Sequence, residues 1–217
     1  MRGGQFIQIQ TVIPDITFEL RDGGAVDLVT FDRASQSVSY NQEAFDAIME
    51  WDGAVSFVFN IGQRVVGKST LFSQALDLAV PGNCFAGRNS GIKMWTRPLY
   101  KEEENLHTFF VDVEGVSEEL VTSFAFLLAY LLGSLVVFSS SGELGPAAWA
   151  QLGEFERTGK RLVVSENSAE NIYSLSFYAP KFLWVARDLE IKDTDAQGLP
   201  LPADQYLEAS VLDPNVI

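Results

Sequence analysis

The run from Val55 to Ile61 is mostly apolar and leads straight into Gly62-Gln63-Arg64-Val65-Val66-Gly67-Lys68-Ser69. Leu71, Ala75, Leu76 and Ala79 follow at helical spacing, so the stretch predicts a strand, a tight loop and a helix in immediate succession. The spelling Gly-x-x-x-x-Gly-Lys-Ser has a chemical reason. Gly62 and Gly67 let the loop aim backbone N–H groups inward at phosphate oxygens, Lys68 reaches the β- and γ-phosphates, and the Ser69 hydroxyl is a ligand for Mg²⁺. The anion then sits at the start of a helix, where unpaired amides and the helix dipole favour negative charge. The segment is a phosphate-binding P-loop.

With 217 residues, 47% of them hydrophobic, the chain can bury one substantial core and is expected to be a single domain over residues 1–217. Its 15 basic and 29 acidic residues give a formal net charge of −14, which repels nucleic-acid backbones and anionic membrane surfaces. Nucleic acid is therefore not an expected partner, and a polyphosphate must be held by local donors and a metal. One cysteine, Cys84, allows no intrachain disulfide and is read as a structural thiol. The first ten residues carry no signal-peptide core, so a cytoplasmic location is expected. Val121 to Phe138 is uncharged over eighteen residues, but Gly133-Ser134 interrupts it. It reads as a buried helix to about Leu132 and a buried strand from Leu135 to Phe138 in place of a transmembrane span.

Residues 1–34 are strand-prone but broken by Pro14 and Arg21-Asp22-Gly23-Gly24, and are expected to be an irregular lead-in with one hairpin. Asn41 can cap a helix carrying Ala44, Phe45, Ile48 and Met49 on one face, ended by Asp52-Gly53. Ile92-Lys93-Met94-Trp95 begins an alternating strand, and the acidic stretch 101–105 separates it from Leu106 to Val111 as in an antiparallel hairpin. His107, the single histidine, is read as structural. A helix over 118–132, a strand over 135–138, a helix from about Pro146 to Arg157 and a buried strand Lys181 to Ala186 complete the pattern. The expected fold is α/β, a three-layer P-loop NTPase sandwich whose sheet is mostly parallel with one antiparallel edge. Ligands should collect at the carboxyl ends of its strands.

The strand ending at Val111 delivers Asp112-Val113-Glu114-Gly115. Beside a P-loop, a strand-end aspartate holds Mg²⁺ directly or through water, and the following glycine lets a backbone N–H approach the γ-phosphate. Four features now resemble the large GTPase domain of guanylate-binding proteins, in the dynamin-like group that includes atlastins. They are the P-loop at 62–69, Gly91-Ile92-Lys93-Met94-Trp95, Asp-x-Glu-Gly at 112–115, and Trp184-Val185-Ala186-Arg187-Asp188. Ser141-Gly142 and the stretch from Gly198 to Leu207 add to the likeness, which covers roughly residues 26 to 211. The resemblance implies GTP or GDP as ligand, with Gly62, Gln63, Arg64, Val65, Val66, Gly67, Lys68, Ser69, Thr70 and Gly115 around its phosphates. It further implies that Asp188 reads guanine, with Arg187 as its packing or stacking neighbour.

The metal shell implied by the resemblance is Ser69, Asp112 and Asn89. Asn89 stands where the family has a threonine, and Gly87 where it has a serine. The family's catalytic arginine maps to Val65, with Arg64 displaced by one residue, so Arg64 and Lys68 are the candidate catalytic residues. Arg64 would act in cis or across a homodimer formed through the GTPase face. The segment after Gly115 is shorter than the family's switch, and the sequence stops at Ile217, ahead of the family's guanine cap and helical domain. Two readings follow: a guanine-nucleotide-binding protein with Mg²⁺, at best a weak GTPase and with its standing as an enzyme left open, or a pseudo-GTPase serving as a structural or assembly module with a protein assembly partner. An ATP-specific P-loop protein is a third.

Overall fold

A computed structural model describes residues 9–12, 24–32, 34–35, 37–63, 66–75, 91–113, 119–142, 146–161, 179–188 and 202. The strands are β1 (Ile9–Val12), β2 (Ala25–Asp32), β3 (Ser37–Asn41), β4 (Ala54–Gly62), β5 (Gly91–Trp95), β6 (Leu99–Lys101), β7 (Leu106–Val113), β8 (Leu135–Ser141) and β9 (Lys181–Arg187). The helices are α1 (Gln42–Met49), α2 (Lys68–Ala75), α3 (Glu119–Leu132) and α4 (Pro146–Arg161). The strands form one mixed sheet in the order β1-β3-β2-β5-β7-β4-β8-β9, with β6 pairing β7 off that path. β7, β4, β8 and β9 run parallel; β2, β3, β5 and β6 make the antiparallel edge. The fold is α/β, as expected of a P-loop domain.

Strand alternation sorts the side chains into two layers. Phe57, Phe59 and Ile61 of β4, Phe109, Val111 and Val113 of β7, and Val136 of β8 pack with Ala44 of α1 and Ala125, Phe126 and Ala129 of α3. Val58, Phe110, Leu135, Val137 and Val185 point the other way, toward Phe72 of α2 and Trp95. The P-loop helix thus lies on the face opposite α1 and α3.

Local signals are realised where expected. Asn41 caps α1 by accepting from the Ala44 backbone N–H at 3.2 Å. α3 stops at Gly133, whose N–H returns to the Ala129 carbonyl at 2.9 Å, and Ser134 donates to the Phe57 carbonyl at 2.8 Å, so the break docks the chain beside β4. No helix among the described residues is long and apolar enough to cross a membrane. His107 stacks on Tyr100 with ring centroids 4.5 Å apart and meets Trp51 edge-on, a packing role.

Four expectations need correction. Residues 25–32, read as irregular, form β2, whose Leu28, Val29 and Phe31 are buried in the main core; pairing with β3 and β5 supplies the contacts that the interrupted local pattern did not signal. Met49, at the last position of α1, is 81% exposed, so the buried face is carried by Ala44 with Phe45 and Ile48. On α2 the apolar side chain described as buried is Phe72, while Leu71 is half-buried and Leu76 and Ala79 lie outside the described residues. β9 is not a buried strand. Among the described residues it ends the sheet order, and Phe182 and Leu183 remain 43% and 49% exposed.

Candidate functional site

The carboxyl ends of the parallel strands bring together those expected site residues that are described, from Gly62 and Lys68 to Asp112 and Asp188. Gly62 ends β4 at φ 140°, and a side chain there would collide with the Ser139 carbonyl of β8. The loop is tied to β8 on both sides of this contact. Gln63 donates its backbone N–H to the Ser139 carbonyl at 3.1 Å, and its Oε1 accepts from the Ser141 backbone N–H at 3.3 Å.

Gly67, at φ 75°, closes the loop before α2. A Cβ there would strike the guanidinium of Arg187, whose Nη1 donates to the Val66 carbonyl at 2.8 Å. Arg187 therefore braces the phosphate loop from the end of β9. Lys68 is buried, and its Nζ donates to the Gln63 carbonyl at 2.7 Å, which folds the ammonium over the loop that it closes. Thr70 lies exposed in the first turn of α2.

Ser69 and Asp112 meet directly. The Ser69 hydroxyl donates to Asp112 Oδ2 at 2.6 Å, joining the start of α2 to the end of β7. Both groups are hard oxygen donors of the kind Mg²⁺ takes. Mg²⁺ needs only one or two protein oxygens when phosphates and waters complete its octahedron, so this pair fits such an ion. Asp112 is buried, and its other oxygen, Oδ1, accepts from Asn60 Nδ2 at 2.8 Å.

Asp188 follows β9 in the left-handed region at φ 54° and is exposed. Its Oδ2 accepts from the Ser141 hydroxyl at 3.4 Å, and the Gly142 N–H donates to the Arg187 carbonyl at 2.9 Å, so the ends of β8 and β9 hold it at the rim of the same edge. Trp184 secures that pairing through Nε1, which donates to Ser140 Oγ at 2.9 Å. Arg64, Val65, Gly87, Asn89 and Gly115 lie outside the described residues.

Asn60 and Ser139 were not anticipated. Both are fully buried, and their signal was present: an Asn inside the apolar P-loop strand and a Ser inside the β8 run each demand a partner when buried.

Comparison with known proteins agrees with this geometry. The family model described as guanylate-binding protein, N-terminal domain, matches residues 35–214. Human guanylate-binding protein 3 is 30% identical over 184 residues, covering 79% of this chain and 30% of that protein. Human guanylate-binding protein 2 is 28% identical over 89% of this chain and 34% of its own length, and the mouse protein of the same name is 26% identical over 79% and 31%. The chain thus spans about a third of the length of these relatives. A P-loop braced by β9, with Ser69 on Asp112 and Asp188 at the rim, together with these matches, makes the chain a member of the guanylate-binding protein family.

Proposed function

We propose that this chain binds GTP and GDP together with Mg²⁺ and hydrolyses GTP slowly. The Ser69–Asp112 hydrogen bond at the mouth of the P-loop carries the reading, because it joins the two oxygen donors that a magnesium-bound polyphosphate requires. Lys68 exchanges its bond to the Gln63 carbonyl for the β- and γ-phosphate oxygens, and the loop amides up to Ser69 and Thr70 surround them. Ser69 and Asp112 hold the metal, with Asn89 as third contributor. Bound there, Mg²⁺ supplies neutralisation of charge between the β- and γ-phosphates. Asp188 accepts from guanine N1–H and the exocyclic amine, and the brace from Arg187 to Val66 ties base reading to the phosphate loop.

Slow turnover follows from the sequence. An arginine finger is worth about 10³ to 10⁵ in rate, and Val65 stands where the family carries it. Arg64 takes that role in cis or across a homodimer. The second reading, a pseudo-GTPase acting as an assembly module, is favoured by the same Val65 and by Asn89 and Gly87. A single cysteine suits the cytoplasm.

Titration with GTP, GDP and ATP, each with Mg²⁺, and phosphate release followed over hours test these readings. Binding of both guanine nucleotides in preference to ATP is expected. Absence of binding by all three would remove the proposal, and a preference for ATP would replace it. Asn89→Thr combined with Val65→Arg should raise turnover; phosphate release still at background in a variant that binds GTP favours the pseudo-GTPase.

A further inference from the structure

Asn60 occupies the P-loop strand at a position facing α2, next after Val58 on that face, and it is fully buried. Register sets it beside Asp112 on β7 and Val137 on β8. Its two polar ends both find partners: Nδ2 donates to Asp112 Oδ1 at 2.8 Å, and Oδ1 accepts from Ser139 Oγ at 3.4 Å. A buried amide in a central parallel strand is costly unless so partnered, and an apolar residue would serve packing better.

The consequence falls on Asp112. A carboxylate turns about its terminal torsion within a broad energy well, so geometry at a strand end does not by itself choose which oxygen faces the loop. The Asn60 amide occupies Oδ1, and Oδ2 is the oxygen that meets the Ser69 hydroxyl at 2.6 Å. We infer that Asn60 is a positioning residue for Asp112: it holds the carboxylate so that Oδ2 is presented to Ser69 and to the metal side of the phosphate site. Ser139 of β8 in turn orients Asn60, so three adjacent strands set one oxygen. The role of Mg²⁺ in this inference rests on the proposed nucleotide binding; the coupling of Asn60 to Asp112 does not.

The test compares wild type, Asn60→Leu, Asp112→Ala and the double variant by titration with GDP, in excess Mg²⁺ and in EDTA, alongside urea denaturation of each. Outer ligand partners are typically worth about 10- to 100-fold in metal affinity, so Asn60→Leu should weaken GDP binding roughly tenfold or more in Mg²⁺ and about twofold or less in EDTA. In the Asp112→Ala background it should cause no further loss in Mg²⁺, and its shift of the urea midpoint should be smaller than in wild type. Equal losses with and without Mg²⁺, no loss in either, or midpoint shifts that add would each overturn the inference. If wild type binds no GDP, the nucleotide reading fails while the urea cycle still decides whether Asn60 and Asp112 are coupled. Should Asn60→Leu not fold, Asn60→Thr, strand-compatible and too short to span to Asp112, carries the same measurements.

Discussion

The two halves of the sheet are built from similar apolar residues and do different work. In β7-β4-β8-β9 every strand runs the same way, so Gly62, Asp112, Ser141 and Asp188 all emerge at one edge. In the antiparallel edge, neighbouring strands run in opposite directions, so their carboxyl ends alternate between the two rims and are not gathered along one. Buried polarity is concentrated in the same way among the described residues. Asn60, Lys68, Asp112, Ser139 and Ser140 belong to the parallel block or its loop, whereas Leu28, Val29, Phe31, Ile92 and Met94 give the antiparallel edge an apolar interior, with Thr96 buried just after β5. Strand direction, more than composition, decides which half can carry chemistry.

If that division is real, damage to the antiparallel edge should cost stability and spare binding. Leu28→Ala removes a buried side chain from β2 and should lower unfolding free energy by about 2–5 kcal/mol in urea. The GDP affinity of the folded protein should stay within about twofold, given the distance between independent sites at which effects add. A parallel fall in affinity would break the comparison.

Lys68→Ala is the converse. On the proposed nucleotide binding, it removes a charge-assisted phosphate contact and should weaken GTP binding roughly tenfold or more, with the circular-dichroism melt little changed. Unchanged affinity by calorimetry would take the P-loop out of the functional account.

Asp188→Asn sharpens the comparison within the parallel block. On the proposed base reading, it replaces an acceptor by a donor opposite guanine's exocyclic amine, where xanthine carries a carbonyl. A buried unsatisfied partner costs about 1–3 kcal/mol, so preference should move from GTP toward XTP by about tenfold. Competition binding on both proteins reads this, and identical preferences would dismiss Asp188 as the base reader.

The smallest effect belongs to the β2–β3 turn. Asp32 accepts from the Ser35 hydroxyl at 2.6 Å and from the Ala34 N–H at 2.9 Å; the Ser35 hydroxyl first, then the backbone donors, hold its pKa below the ordinary 3.8. A depressed carboxylate stabilises the fold above its unfolded pKa and loses that contribution as pH falls through the folded one. Asp32→Asn should therefore melt slightly below wild type at neutral pH, with the gap closing as pH drops below 3.8. Thermal melts across that range check it, and a gap independent of pH would contradict the turn's role.

Much of the fold was legible in the chain where its signals are local. The P-loop spelling, the Asn41 cap, the break at Gly133-Ser134 and the hairpin around the acidic stretch 101–105 each depend on neighbours a few residues apart. β2 was not legible, since Leu28, Val29 and Phe31 become core only when β3 and β5 close on either side. Nor could local pattern show that β9, apolar as it reads, leaves Phe182 and Leu183 exposed and ends the sheet order among the described residues.

Which chemical groups are available is written in the sequence: loop glycines, the P-loop lysine, a serine hydroxyl and the carboxylates of Asp112 and Asp188. Tertiary structure alone decided how they face one another. Asn60 reaches Asp112 across 52 positions, Ser139 reaches Asn60 across 79, and Arg187 reaches Val66 across 121. Such pairings depend on strand order and register, which no local periodicity encodes, because they are settled only when separate segments bury their apolar faces against one another.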